Sequence, residues 1–253
     1  MSRPRVVLVE DDLSLRRFVA MALEELDIDL LGFASVEEVL SGLEQQPADL
    51  IITDLMMPGL SGFDLIRILA TAPELRANAT LVVYSAGLNL EVRQQLQEQG
   101  VERFLSKPCS VAELEACVLA ALAGKLPGKL PEQAAEINSS VVPPAPASIA
   151  ATESESSTLE SHFGGNLALY QSFRSSCLQQ FEADVIAGDL ACRQADNQAL
   201  RRLAHSLKSV LLMLDQVPAS DVARQLEHSA DQGDWAVASP LWASLRGSLQ
   251  SLR

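Results

Sequence analysis

The sequence is short of aromatic residues, of positive charge and of long apolar runs. Aromatics are 4% of its 253 residues, although 48% are hydrophobic. That balance, with Leu and Ala dominant, favours helix-rich packing over a β-sandwich. Lys and Arg number 19 against 33 Asp and Glu, a formal charge of −14. Such an acidic chain repels phosphate backbones, so no nucleic-acid partner is expected. No apolar run approaches the roughly 18 residues of a membrane helix, so no membrane insertion is expected either. The first apolar run is short and ends in three acids, unlike a signal peptide. Cys109, Cys117, Cys177 and Cys192 form no CxxC pair and read as thiols of a reducing cytoplasm, giving a cytoplasmic localisation. Neither a kinase core nor a DNA-binding segment is evident.

The acidity is uneven. Residues 1–123 carry 9 Lys and Arg against 19 Asp and Glu, and residues 159–253 carry 8 against 10. The first segment alternates apolar runs at Val6–Val9, Ile28–Phe33, Leu50–Thr53, Thr80–Tyr84 and Arg103–Leu105 with helical spacing at Leu13–Leu26, Val36–Glu44, Gly62–Ala70, Leu90–Gln99 and Val111–Leu122. Ser35 and Ser110 suit helix N-caps, and Glu113 completes a capping box with Ser110. Five βα repeats predict an α/β domain with a doubly wound, five-stranded parallel sheet and ligands at the carboxyl ends of its strands. Residues 124–158, rich in Pro, Ala, Ser and Glu, read as a flexible linker of about 35 residues. From residue 159 to 253 the pattern is helical. Leu167–Ile186, Asp196–Leu214, Val217–Gln232 and Trp235–Leu252 predict an all-α four-helix bundle.

Glu10 and Asp11 follow the first strand, and Asp54 follows the third; in a doubly wound sheet those strand ends are neighbours. Carboxylates brought together there repel by roughly 4 kcal/mol per close pair at an effective dielectric near 20. A hard divalent cation, normally Mg²⁺ beside phosphate, removes that repulsion. Asp54 can then attack phosphorus to form an aspartyl phosphate. Lys107 after the last strand offers a positive charge to a phosphoryl oxygen, and Ser85 after the fourth offers a hydroxyl. A cis bond before Pro108 would aim the lysine inward. A dinucleotide site would need a Gly-rich turn after the first strand, and that turn is acidic here.

With these residues in place, residues 1–123 resemble a response-regulator receiver domain of flavodoxin-like fold. The resemblance implies that Glu10 and Asp11 are its acidic pair, Asp54 its phosphorylated aspartate and the Met56 carbonyl its backbone metal ligand. It likewise implies Ser85 as the switch hydroxyl, Phe104 as the switch aromatic and Lys107 as the family's lysine. Asp12 is an additional acid.

On the helix Asp196–Leu214, Leu200, Leu203, Leu207, Val210, Leu211 and Leu214 share one face. His205, Lys208 and Leu212 fall on the other, so His205 is expected to face solvent or a partner. A neutral imidazole there is nucleophilic near neutral pH. Lys208, with Arg201 and Arg202, would offset phosphoryl charge. The segment Phe163-Gly164-Gly165-Asn166, Phe181, Gly188-Asp189 and Ala204-His205-Ser206-Leu207-Lys208 resembles a histidine-phosphotransfer (HPt) domain over residues 159–253. Leu226-Glu227 and Gly233-Asp234 fit its following helix and turn. Ser209 and Asp215 stand where that family usually has Gly. His162 and His228 lack the Leu-Lys continuation.

An aspartate site and a histidine site in one chain imply a two-component phosphorelay protein. Asp54 and His205 would carry phosphoryl groups between a partner sensor histidine kinase and a downstream response regulator receiver domain. Alternatively, Asp54 phosphorylation gates a bundle that exchanges phosphate with a separate receiver. A phosphohydrolase would need an acid/base two residues past Asp54, where Met56 stands. On either phosphotransfer reading the chain is not a classical turnover enzyme.

Overall fold

Arg5–Val9 (β1), Leu50–Thr53 (β3) and Thr80–Ser85 (β4) are buried along their whole length, as strands covered on both faces must be. With Asp29–Phe33 (β2) and Arg103–Ser106 (β5) they form one parallel sheet in the order β2-β1-β3-β4-β5. The computed structural model describes residues 3–123 and 151–252. Register pairs Val9 with Thr53, Thr53 with Val83, and Ser85 with Ser106. The carboxyl ends of β1, β3, β4 and β5 therefore share one rim, where Glu10, Asp54, Ser85 and Lys107 stand.

The connecting helices are Leu13–Ala22 (α1), Val36–Gln45 (α2), Gly62–Thr71 (α3), the short Pro73–Arg76 (α4), Leu90–Glu98 (α5) and Val111–Ala121 (α6). Side chains of Asp12, Ser35, Ser61, Asn89 and Ser110 accept from the amide three residues on, each such cap contributing about 1 kcal/mol. The expected Ser110–Glu113 capping box is present, and Ser61–Asp64 forms another. The expected Leu13–Leu26 helix stops at Ala22. Glu24, Glu25 and Asp27 would crowd the negative end of its dipole.

The second half contains Ala151–Phe163 (α7), Leu167–Gln194 (α8), Asn197–Met213 (α9), Val217–Asp231 (α10) and Trp235–Ser251 (α11). Among the described residues it has no strand. Most of the expected linker lies outside the described residues, and residues 151–158 belong to α7. The expected Leu167–Ile186 helix runs on to Gln194, through Gly188. That glycine does not mark a turn. A Cβ there would sit 2.1 Å from Trp242 of α11, so its missing side chain is what lets the indole pack. Trp242 Nε1 then donates to Asp189 at 2.9 Å. Ala195, in the left-handed region at φ 52°, ends α8, and Asp196 caps α9.

The two halves touch. α1 lies along α8, and one buried apolar cluster runs from Val6, Leu8 and Phe18 into Phe163, Phe173 and the bundle leucines. Phe18 meets Phe163 and Phe173 edge-on, with ring centroids 5.6 Å and 5.7 Å apart.

Gly62 is the tightest point beneath the rim, because a Cβ there would lie 1.9 Å from the Asp54 carbonyl oxygen. Gly62→Ala is expected to destabilise the sheet half by about 1–3 kcal/mol in urea unfolding. Gly247→Ala, in open space within α11, should raise stability by about 0.5–1 kcal/mol.

Candidate functional site

The rim residues form a cluster with almost no access to water. Glu10 and Asp54 are fully buried and Lys107 is 8% exposed. Lys107 Nζ donates to Asp54 Oδ2 at 2.8 Å and to Glu10 Oε2 at 2.5 Å. Its ammonium also stands 4.9 Å from the centre of the Tyr84 ring. The Leu55 and Met56 amides donate to Asp54 Oδ1 at 2.5 Å and 3.2 Å, so the start of the β3–α3 loop fixes that carboxylate. The Lys107–Pro108 peptide is cis. Ser85 is buried at the end of β4, and its carbonyl accepts from the Lys107 amide at 3.1 Å. Arg16 binds the carbonyls of Glu10 and Asp11, tying the acidic loop to α1. Asp12 caps α1 and points away from this role, its carboxylate accepting from Leu15 N at 2.9 Å.

Charge is unbalanced here. Burial pushes Glu10 well above the usual carboxylate range against the pull of Lys107. Asp11 is pushed up to about 6 by burial and by the Asp54 charge. Burial acts upward on Asp54 too, but Lys107 outweighs it and, with His205, holds the carboxyl low. Lys107 is held protonated by Asp54 and Glu10 in spite of its burial. Ligand oxygens of Glu10, Asp11 and Asp54 lie within 4.8 Å of one another. When all three ionise against one ammonium, two negative charges remain, the charge of one divalent cation. Asp11 Oδ1 is buried with no hydrogen-bond partner, as a ligand atom awaiting a cation would be. The donor set is all oxygen and fits Mg²⁺.

His205 was expected to face solvent or a partner, and it is 4% exposed. The helical projection separated it correctly from the bundle leucines, but its face is covered in the folded chain. His205 Nδ1 pairs with Glu227 Oε1 at 2.6 Å, and Lys208 Nζ donates to Glu227 Oε2 at 2.6 Å. His205 Nε2 is buried without a partner. Lys208 thus stands beside the imidazole as expected, while Arg201 instead pairs with Asp231 at 3.2 Å. Leu212, also expected at the surface, is half-buried.

Glu227 is the residue that sequence reasoning passed over as a mere helix match. Its signal was the hairpin symmetry: His205 and Glu227 each lie eleven residues from Gln216, at the turn between α9 and α10. Residues equidistant from a tight turn meet across antiparallel helices. From α8, Asp184 approaches the acidic loop; burial, then Asp12 and Asp11, push its carboxyl up to about 7.

Comparison with known proteins agrees with this division. The response regulator receiver domain model matches residues 6–119, and the Hpt domain model matches residues 167–253. The chain is 32% identical over 112 residues to the C4-dicarboxylate transport transcriptional regulatory protein DctD of Rhizobium meliloti, covering 44% of this chain and 24% of that protein. It is 29% identical over 123 residues to the phosphate regulon transcriptional regulatory protein PhoB of Pseudomonas aeruginosa, covering 49% and 53%. With hybrid signal transduction histidine kinase D of Dictyostelium discoideum it shares 32% over 121 residues, 47% of this chain and 8% of that one. The chain therefore spans about half or less of the length of these relatives. Among solved structures, a response regulator receiver protein from Pseudomonas putida is 32% identical, covering 47% of this chain and 98% of that one, with a TM-score of 0.44.

Although burial raises it, the Glu227 carboxyl is held down to about 2 by its bonds to His205 and Lys208. Because the folded value lies below the ordinary 4.5, its stabilisation is complete above about 4.5 and fades as pH falls toward 2. Thermal unfolding followed from roughly pH 6 down to roughly pH 2 should show this loss, and Glu227→Gln should flatten it. An unchanged acid limb in Glu227→Gln would remove the carboxylate from the network.

Proposed function

We propose that this chain, which joins a response regulator receiver domain at residues 6–119 to an Hpt domain at residues 167–253, is a phosphorelay protein that carries phosphoryl groups on Asp54 and His205. One observation carries the reading: an aspartate and a histidine suited to accept a phosphoryl group lie in one fold, each within a bonded network that includes a lysine. Lys107 stands on Asp54 and Lys208 stands on the Glu227 that holds His205.

At the aspartate, the buried ammonium of Lys107 offsets negative charge that builds on a phosphoryl oxygen in the transition state. The Leu55 and Met56 amides fix the carboxylate, so little orientation is left to chance. Ser85 offers its hydroxyl to a second oxygen. Glu10, Asp11 and Asp54, with the Met56 carbonyl, are the residues that would hold Mg²⁺, which supplies charge neutralisation beside the phosphoryl group. At the histidine, Glu227 accepts the Nδ1 proton and so leaves the Nε2 lone pair as the nucleophile. Lys208 then offsets charge on the phosphoryl group carried there.

The partners we assign are a sensor histidine kinase as source and a response regulator receiver domain as acceptor. The compartment we assign is the cytoplasm, from four free cysteines; among the described residues no helix is long and apolar enough to cross a membrane.

Mg²⁺ at ten times its dissociation constant should stabilise the protein by about 1.4 kcal/mol, read as a rise in unfolding temperature. Asp54→Ala should shrink that rise; a melting curve indifferent to Mg²⁺ would remove the metal site. The function itself is tested by labelling. A small acyl phosphate with Mg²⁺ should label Asp54, with no label in Asp54→Asn. A phosphorylated response regulator receiver added to Asp54→Asn should give base-stable label that His205→Gln abolishes. Equal labelling of these variants and the native chain would overturn the reading.

A further inference from the structure

We infer that the partner of the receiver's α1 face is the Hpt bundle of the same chain, docked so that Asp54 and His205 of one molecule form a transfer pair closed to other proteins. The inference rests on the phosphorelay reading and adds which molecule supplies the second site.

Three observations support it. The first is the aromatic seam. Phe18 of α1 sits between Phe163 of α7 and Phe173 of α8, all three essentially fully buried, and Phe163 continues to Tyr170 at 5.2 Å. Large aromatic surfaces buried across a domain boundary are the usual anchors of an interface. The second is polar. Arg17 of α1 donates to Ser176 Oγ of α8 at 3.1 Å, one helical turn past Phe173. The third lies where the seam opens toward the chemistry. Asp11 Oδ1 on the receiver side and His205 Nε2 on the bundle side are each buried without a partner. Asp54 is fully buried as well, and His205 is 4% exposed. One docking event therefore explains why an acid loop and a nucleophilic nitrogen are both hidden from water.

The step balances without further reagents. In the tautomer that donates from Nδ1 to Glu227, the Nε2 lone pair attacks phosphorus of an Asp54 acyl phosphate. The N–P bond forms and the P–O bond to Asp54 breaks. The carboxylate leaves with that electron pair and returns to Lys107. No proton moves at Nε2, and the positive charge gained by the ring faces Glu227. The reverse step returns the group to Asp54.

Closure has a second effect. At 4% exposure His205 is out of reach of a receiver from another molecule, so exchange in trans requires the α1–α8 seam to open.

The test uses the full chain, Mg²⁺ and acetyl phosphate as donor, reading base-stable phosphohistidine over time. A tethered pair reacts at an effective concentration on the order of millimolar. The native chain should therefore label His205 at a rate unchanged by about 100-fold dilution from micromolar stock. An equimolar mixture of Asp54→Asn and His205→Gln chains should be slower by roughly tenfold or more and should slow further on dilution. Ser176→Arg sets a second cation against Arg17 and should slow labelling within the chain while speeding transfer to an added phosphorylated receiver. If native labelling falls in proportion to dilution and matches the mixture, docking within the chain is overturned while the phosphorelay reading stands. If neither sample ever forms phosphohistidine, even with an added phosphorylated receiver, both fall.

Discussion

Everything at the site depends on one buried ammonium. Lys107 reaches from the end of β5 to two carboxylates that end β1 and precede the β3–α3 loop, all three nearly or wholly shut off from water. Burying one carboxylate alone is strongly unfavourable, and burying two together more so. The cation makes that burial possible, and the sheet makes the cation reach. Only a register that ends β1, β3, β4 and β5 on one rim brings residues 10, 54, 85 and 107 together. The same lysine leaves the cluster two charges short of neutrality when Asp11 is ionised. That residual charge is why the pocket suits a divalent cation, which would in turn offset the charge of a phosphoryl group.

The histidine site solves a related problem with a different charge arrangement. Here the acid, Glu227, sits between a ring nitrogen and an ammonium, so it fixes two side chains at once. A ring held through Nδ1 presents Nε2 in one direction, and that nitrogen is buried without a partner. Each half thus supplies what the other lacks: one brings an electrophile-bearing carboxylate with its countercharge, the other an oriented nucleophile. The aromatic seam at Phe18, Phe163 and Phe173 packs the two halves together, and both Asp54 and His205 are buried.

Much of this was legible in the sequence, because strands buried on both faces and helices with clean caps announce themselves locally. The five strands and five of the six helices around them fall where apolar runs and the Ser35 and Ser110 caps put them, and the acidic loop after β1 betrays the rim. What the sequence hid is non-local. Gly188 gives no local sign that Trp242, more than fifty residues on, occupies the space beside it. The helix ending at Ala22 depends on acids that a periodicity count ignores. His205 projects away from the bundle leucines, yet burial is decided by the whole chain, and in the fold the residue is 4% exposed with Glu227 of α10 against its ring. Glu227 carries no motif of its own and becomes visible only when α9 and α10 are folded against each other about Gln216.

The account turns on Asp54 and His205 serving as two stations of one path. Phosphorus NMR of the full chain with Mg²⁺ and acetyl phosphate reads both stations at once, since acyl phosphates and phosphoramidates resonate apart. Two protein-bound signals are predicted, the phosphoramidate disappearing in His205→Gln and both disappearing in Asp54→Asn. An acyl-phosphate signal alone, with no phosphoramidate at any time, would contradict it.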